Sequence, residues 1–419
     1  MTNFVLPALR DPKRAIPTGM LVSNTGNGMY LLAVSVILYR SSGSSAMFAW
    51  LLVYQSAAVL GMQVFASVGA DRGHSQRLAV LAEICRATLV AFGALFATMG
   101  HSLALAVTGV LLSLAQPFFR TSIFKIGPLI ADGEDLARYN ARTSTFQQLG
   151  QFLGAGSAGV LMGFWLYLPL WINALSYLAS AFFTWVCTVP EQEPSVRWRT
   201  FIPQLFHPQK AVHDWWEAFK YCVHSPLIFG MSFLAASDLI FINVINIAYA
   251  PMLSRLGLQE TWISVWDVCF AVGAIVGVNL FGRMTILQSR WQVPAVCLLV
   301  EAFLASYLLT QSAYTVAIAM LLIGTINSIS VSAFAFFLQT HTQRAMIARI
   351  AGVRQFCLTA LSATLMGYLS HGIDHSQLSG FIRVSSVLTL SAVGVAVLFV
   401  LVGRRRSPSV VQGCDLQDE

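Results

Sequence analysis

Charge is scarce in this sequence. Of 419 residues only 10% are Asp, Glu, Lys or Arg, against 56% hydrophobic. A water-soluble chain of this length would form two or three domains with far more surface charge, so that class is excluded. The seven cysteines, at 85, 187, 222, 269, 297, 357 and 414, include no Cys-x-x-Cys pair and lie mostly in apolar runs. They read as small core residues, and a disulfide framework or zinc site is not expected. No Walker loop is present to let ATP drive work. "HGIDH" offers His371, Asp374 and His375, but it contains glycine, falls in an outer loop and has no partner cluster, so no metal is expected. Without a catalytic constellation the chain is not read as an enzyme, and no cofactor is implied. The formal charge of +7 is spread over loops with no binding fold around it, which argues against nucleic acid as a partner.

What the sequence has instead is apolar runs of membrane-crossing length, with a mean hydropathy of +0.68. Backbone amides in lipid must be bonded internally, and runs this long suit helices rather than the short alternating strands of a barrel. Twelve spans are expected, at 16–39, 45–68, 78–99, 101–126, 142–164, 166–189, 227–252, 261–284, 291–312, 313–339, 349–370 and 379–403. The first run is too long for a signal-peptide core and is read as a span. Of the 25 Lys and Arg, Arg40, Arg255 and Arg383 fall opposite the N-terminus and Arg86 falls inside a span, leaving 21 on the N-terminal side. This asymmetry predicts a multi-pass protein of the cell (inner) membrane with both termini cytoplasmic. A polar, Pro-punctuated connection divides the chain into a six-helix bundle at 1–189, a linker at 190–226, a second six-helix bundle at 227–403 and a tail at 404–419. Within the linker, "AVHDWWEAFKYCV" predicts an amphipathic helix on the membrane surface.

Between spans 2 and 3, "GADRGHSQR" concentrates Asp71, Arg72 and Arg77. It resembles the Gly-x-x-x-Asp-Arg-x-Gly-Arg-Arg signature of the major facilitator superfamily, with Ser67 at the usual first glycine and glycines at 69 and 73 instead. The resemblance implies a gating loop that clasps two halves; read from the residues alone, Asp71 caps span 3 and the arginines stay by the anionic leaflet. "SLAQPFFRTSIFKIGPLI" with Pro117 and Arg120, and Asn140 ahead of span 5, resemble the branch containing macrolide efflux pumps and the enterobactin exporter. "GAGSAG" stands where that branch carries its antiporter signature, with Gly154 and Gly159 matching and alanines at 155 and 158. Gly150, Gly154 and Ala158 form one small-residue face, and Ala155, Gly159 and Gly163 another, suited to close helix approach. "GAIVGVNLFGRM" and "QRAMIARIAGVRQF" resemble the branch's spans 8 and 11. The implied fold is all-α, with twelve transmembrane helices in two six-helix pseudo-repeats.

Ionisable groups inside spans are costly and need a reason. Asp238, near the middle of span 7, is the first candidate for proton coupling, followed by Glu301 in span 9 and Asp267 in span 8. The family fold makes spans 3 and 9 peripheral, and Glu83 with Arg86, three residues apart, are expected to neutralise each other. Asn27 stands in span 1 where the branch often has an acid. The expected substrate cavity is lined by Asn24, Asn27, Tyr54, Gln55, Gln116, Gln147, Gln151, Asn243, Asn246, Asn327 and Gln339, amides suited to a large, partly polar organic molecule. Arg120 and Lys125, at the mouth of span 4, are read as topogenic charge, with attraction of an anionic substrate as the other reading. The leading function is proton-coupled export, by alternating access, of a small organic molecule: a siderophore or other endogenous metabolite, or a drug. A lysophospholipid flippase and a non-transporting membrane sensor or scaffold are the alternatives. Expected partners are the substrate, protons and membrane lipids, with the chain acting as a monomer.

Overall fold

A computed structural model describes residues 10–42, 46–190, 208–258, 261–289, 292–305, 308, 312–370 and 394. The expected span at 379–403, His371, Asp374, His375, Arg383 and the tail lie outside the described residues, as do the side chains of Asn243 and Asn246. The elements are α1 (Pro12–Ser42), α2 (Ala46–Asp71), α3 (Ser75–Thr98), α4 (Leu103–Ile130), α5 (Gly133–Phe164), α6 (Leu168–Val186) and α7 (Pro208–His224), followed by α8 (Pro226–Leu256), α9 (Thr261–Arg283), α10 (Thr285–Ser289), α11 (Val293–Ala305), α12 (Ala313–His341) and α13 (Ile347–Ser370). No strand occurs among the described residues. Pro12–Ser41, Val53–Asp71, Ser75–Thr98, Leu103–Ile130, Ser264–Arg283 and Ala313–His341 are each long and apolar enough to cross a membrane. Large apolar side chains such as Leu81, Ile84, Phe92 and Leu95 stand exposed along α3, where lipid rather than water is the solvent that suits them.

The described chain forms two compact units. The first runs up to Trp216 and takes in Gln339–Thr359; the second is Glu217–Leu338 with α13 from Ala360 onward. Tyr30, Val34, Leu38, Val90, Leu105, Leu170 and Tyr177 anchor the core of the first. Phe241, Trp266, Met320 and Ile323 anchor that of the second. Glycines set the tightest helix contacts in each. A Cβ on Gly154 of α5 would lie 2.0 Å from the Thr25 carbonyl oxygen of α1, and one on Gly150 would lie 2.4 Å from that of Leu21. With Ala158 fully buried, the 150–154–158 face is therefore a backbone-to-backbone seam. Gly159 and Gly163 meet nothing within 4 Å, so the second small face makes no such seam among the described residues. In the second unit a Cβ on Gly273 or Gly277 of α9 would likewise lie 2.0 Å from the Leu321 or Thr325 carbonyl oxygen of α12.

Two local features differ from expectation. α5 starts at Gly133, well before the expected 142, because Glu134 and Asp135 in its first turn complement the helix N-terminus although the segment is too polar to register as a span. α7 has two apolar sides. Ala211, Ala218 and Cys222 are buried along one line of the helix, whereas Val212, Trp216 and Val223, about 100–140° round from Ala211, are exposed.

Candidate functional site

In the second unit α8 carries Asp238 about 18 Å from its start at Pro226, at 1.5 Å per residue. The Asp238 side chain is buried, and Asn327 Nδ2 of α12 donates to its Oδ1 at 2.9 Å. Ser330, one turn along α12, bonds it as well. Glu301 of α11, with 0% exposure, places its carboxyl against that of Asp238. Among the described residues, neither Glu301 oxygen meets an N–H or O–H donor of another residue. Cys297, one turn earlier on α11, is the remaining titratable neighbour of the pair. A hydrogen bond between two carboxyl groups needs a proton in it, and two bare carboxylates in a dry interior would repel strongly. Three helices thus converge on a buried pair of acids. Glu301, the second coupling candidate, on a span that the family resemblance makes peripheral, is its second member; Asp267, the third, is exposed on α9.

The first unit places an acid at the same point of its third helix and treats it differently. Glu83 lies eight residues after the start of α3 at Ser75, as Glu301 lies eight after the start of α11 at Val293. Glu83 accepts from Arg86 Nη1 at 3.1 Å. Arg86 Nη2 donates to the Tyr177 hydroxyl at 2.9 Å and to Asn27 Oδ1 at 3.4 Å. The Tyr177 hydroxyl in turn bonds Asn27 Oδ1. The guanidinium stands 4.1 Å from the Tyr177 ring centroid. In α11 the position matching Arg86 is Leu304. One unit holds a neutralised ion pair; the other holds two acids with no cation beside them among the described residues.

At the end of the first unit where α1 begins, Asp71 closes α2. It does not cap α3, whose N-cap residue His74 makes no side-chain cap bond. Asp71 instead accepts the backbone N–H groups of Ala348 at 3.1 Å and Arg349 at 2.8 Å, the opening turn of α13. Lys125 Nζ lies 3.1 Å from its other side, and both side chains are 2% exposed. Gly73, with φ of +92°, makes the tight turn that lets α3 follow immediately. Arg72 pairs with Asp214 of α7 at 3.0 Å, and Trp215 packs edge-on to Phe356 of α13 with centroids 5.3 Å apart. Arg77 is exposed. Asn140 Nδ2 donates to Gln339 Oε1 at 2.6 Å, and Gln339 Nε2 donates to the Phe124 carbonyl at 3.1 Å.

The expected cavity residues therefore have mixed surroundings. Gln339 is spent in that bridge, Asn327 on Asp238, and Asn27 in the Arg86 network. Asn24 is buried and donates to the Met20 carbonyl of its own helix. Gln55, Gln116 and Gln147 are half-buried, and Tyr54 and Gln151 are exposed. Sequence reasoning missed Tyr177, Ser330 and the pairing of Lys125 with Asp71, all contacts that join distant segments and leave no local signal.

A sequence profile described as Major Facilitator Superfamily matches residues 18–367. No curated protein matches the chain in sequence. Among solved structures, a bacterial homologue of the iron transporter ferroportin in an outward-facing state is similar, with 15% identity, a TM-score of 0.71, and 92% of this chain and 98% of that chain covered. The fucose transporter FucP in its outward conformation is 12% identical with a TM-score of 0.65, covering 94% of this chain and 99% of its own. The proton:xylose symporter XylE is 14% identical with a TM-score of 0.63, covering 94% and 95%. At these identities the likeness is one of fold.

Proposed function

This chain belongs to the Major Facilitator Superfamily, and on that premise we propose that it exports a small organic molecule in exchange for protons. As a member of the family it is a membrane-spanning secondary transporter of a small substrate and not an enzyme. The observation that carries the coupling is the Asp238–Glu301 pair: two buried carboxyl groups, with Asn327 and Ser330 beside them and, among the described residues, no cation to neutralise either. Such a pair holds one proton readily and a second charge poorly, which is what a coupling site requires. The pair takes up a proton when exposed to the outside as substrate leaves, and yields it inward before the next load binds. Export is supported by the α1–α5 seam, which lies where the resembling branch carries its antiporter signature. The molecule is a siderophore, another endogenous metabolite or a drug, and the chain sits in the cell (inner) membrane with both termini cytoplasmic. On that sidedness Asp71, Arg72 and Arg77 form a cytoplasmic gating loop, with Asp71 holding the start of α13.

Infrared difference spectra of the full chain in proteoliposomes, taken between about pH 5 and pH 9, test the proton site. A protonated-carboxyl C=O band should titrate in the wild type and be missing from the Asp238→Asn/Glu301→Gln double variant. An identical band in that variant would overturn the assignment. In loaded vesicles, efflux of a catecholate siderophore or a macrolide that continued unchanged after collapse of the proton gradient would refute coupling.

A further inference from the structure

The first unit contains a charge that nothing in it answers. Arg120 lies on α4 ten residues before the helix ends at Ile130, about 15 Å along its axis. Its side chain is exposed, and it makes no hydrogen bond or ion pair among the described residues. The sequence alone put it at the mouth of span 4; α4 runs on for ten residues past it, so it lies within the stretch long and apolar enough to cross a membrane. An ionised side chain at such depth is expensive and marks a substrate or ion pathway unless it reaches the headgroups.

Arg120 does not face lipid. The exposed apolar stripe of α4 is Leu103, Val107 and Leu111, and Arg120 follows Leu111 by nine residues, about 900° of turn, which is the opposite side of the helix. That side also carries Gly109 and Gly127, whose missing Cβ atoms report what it looks toward. A Cβ on Gly109 would meet Gln55 Nε2 at 3.0 Å and the Tyr30 hydroxyl at 3.5 Å; one on Gly127 would meet Gln339 Nε2 at 3.3 Å and the Tyr139 ring at 3.4 Å. Arg120 is therefore turned toward the interior of its unit and yet left open, so there is space in front of it. One turn further along α4, the Phe124 carbonyl is taken up by the bridge from Asn140 through Gln339. The nearest like charge, Arg86, is already neutralised by Glu83. What remains is one exposed guanidinium, with Gln116 one turn before it on the same face.

We propose that Arg120 binds an anionic group of the transported molecule, so that the substrate is an organic anion carrying a carboxylate, phosphate or sulfonate. The planar fork of the guanidinium suits two oxygens of such a group, and the low dielectric around it strengthens the contact. This assignment rests on the reading of the chain as a transporter of a small organic molecule. It adds the sign of the charge that the substrate bears.

Equilibrium binding to the full chain in nanodiscs, with no proton gradient imposed, tests it independently of coupling. The probes are 1-naphthoate, 1-naphthyl phosphate and 1-naphthalenesulfonate, each against neutral 1-naphthamide. At least one anion should bind about tenfold or more tightly than the amide, the scale of a single charge-assisted pair. Arg120→Gln should abolish that preference and Arg120→Lys should keep most of it, with thermal unfolding confirming that both variants fold. Equal affinity for acids and amide, no saturable binding by any anion, or a preference that survives Arg120→Gln would each overturn the proposal. The wild-type comparison stands even if a variant does not fold.

Discussion

Replacing Arg86 by Met should damage the protein far more than replacing Asp238 by Asn, although both residues are buried and polar. Arg86 is 3.1 Å from a Glu83 carboxylate that is itself 0% exposed. Removing one partner of such a pair leaves an uncompensated buried charge, at a cost of about 3–5 kcal/mol. The lost hydrogen bond to the Tyr177 hydroxyl adds roughly 1 kcal/mol. Restoring neutrality with Arg86→Met/Glu83→Gln should recover at least about 2 kcal/mol of that loss, appearing as a coupling energy in the double-mutant cycle. If the acid pair holds one proton, on Glu301, Asp238→Asn removes the pair's single charge and strands no other, so its cost should stay under about 1 kcal/mol. Reversible unfolding in mixed micelles, followed by tryptophan fluorescence, measures all four variants. Equal losses for Arg86→Met and Asp238→Asn would refute the contrast between a neutralised pair and a protonated one. So would a coupling energy near zero.

Two further outcomes follow from the same geometry. Asp71→Asn removes the charge that holds the first N–H groups of α13 and strands Lys125, so amides 347–350 should exchange hydrogen at least about tenfold faster, corresponding to a cap worth 1–2 kcal/mol; mass spectrometry reads this, and unchanged protection would sink the assignment. Gly154→Leu forces a side chain into the Thr25 backbone and should destabilise by more than about 3 kcal/mol, whereas Gly159→Leu, in open space, should cost under about 1 kcal/mol; the same unfolding assay compares the two.

The helical membrane fold was legible because hydropathy over about 20 residues reports burial in lipid directly. The seam of Gly150, Gly154 and Ala158 was legible too, since a four-residue repeat of small side chains defines one helix face. Position across a bundle was harder to read. Span 9 is apolar nearly all round, so periodicity gives no inward side, and Glu301 ranks only second to Asp238 as a coupling candidate, with no sign in the sequence that the two touch. The partners of Asp71 lie 277 and 278 residues away in sequence, and no local pattern indicates a helix start that distant. Arg120 read as topogenic because span prediction ended α4 early at 126, four residues short of Ile130, which drew the arginine toward the surface.

The α1–α5 seam restricts how the first unit can change shape. With no side chains standing between Thr25 and Gly154, neither helix can tilt toward the other, and parting them would empty a contact that nothing else fills. A pair of spin labels on these two helices should report one fixed separation through the whole cycle, like marks on a single rod. Whatever flexes in this part of the molecule must do so along other boundaries.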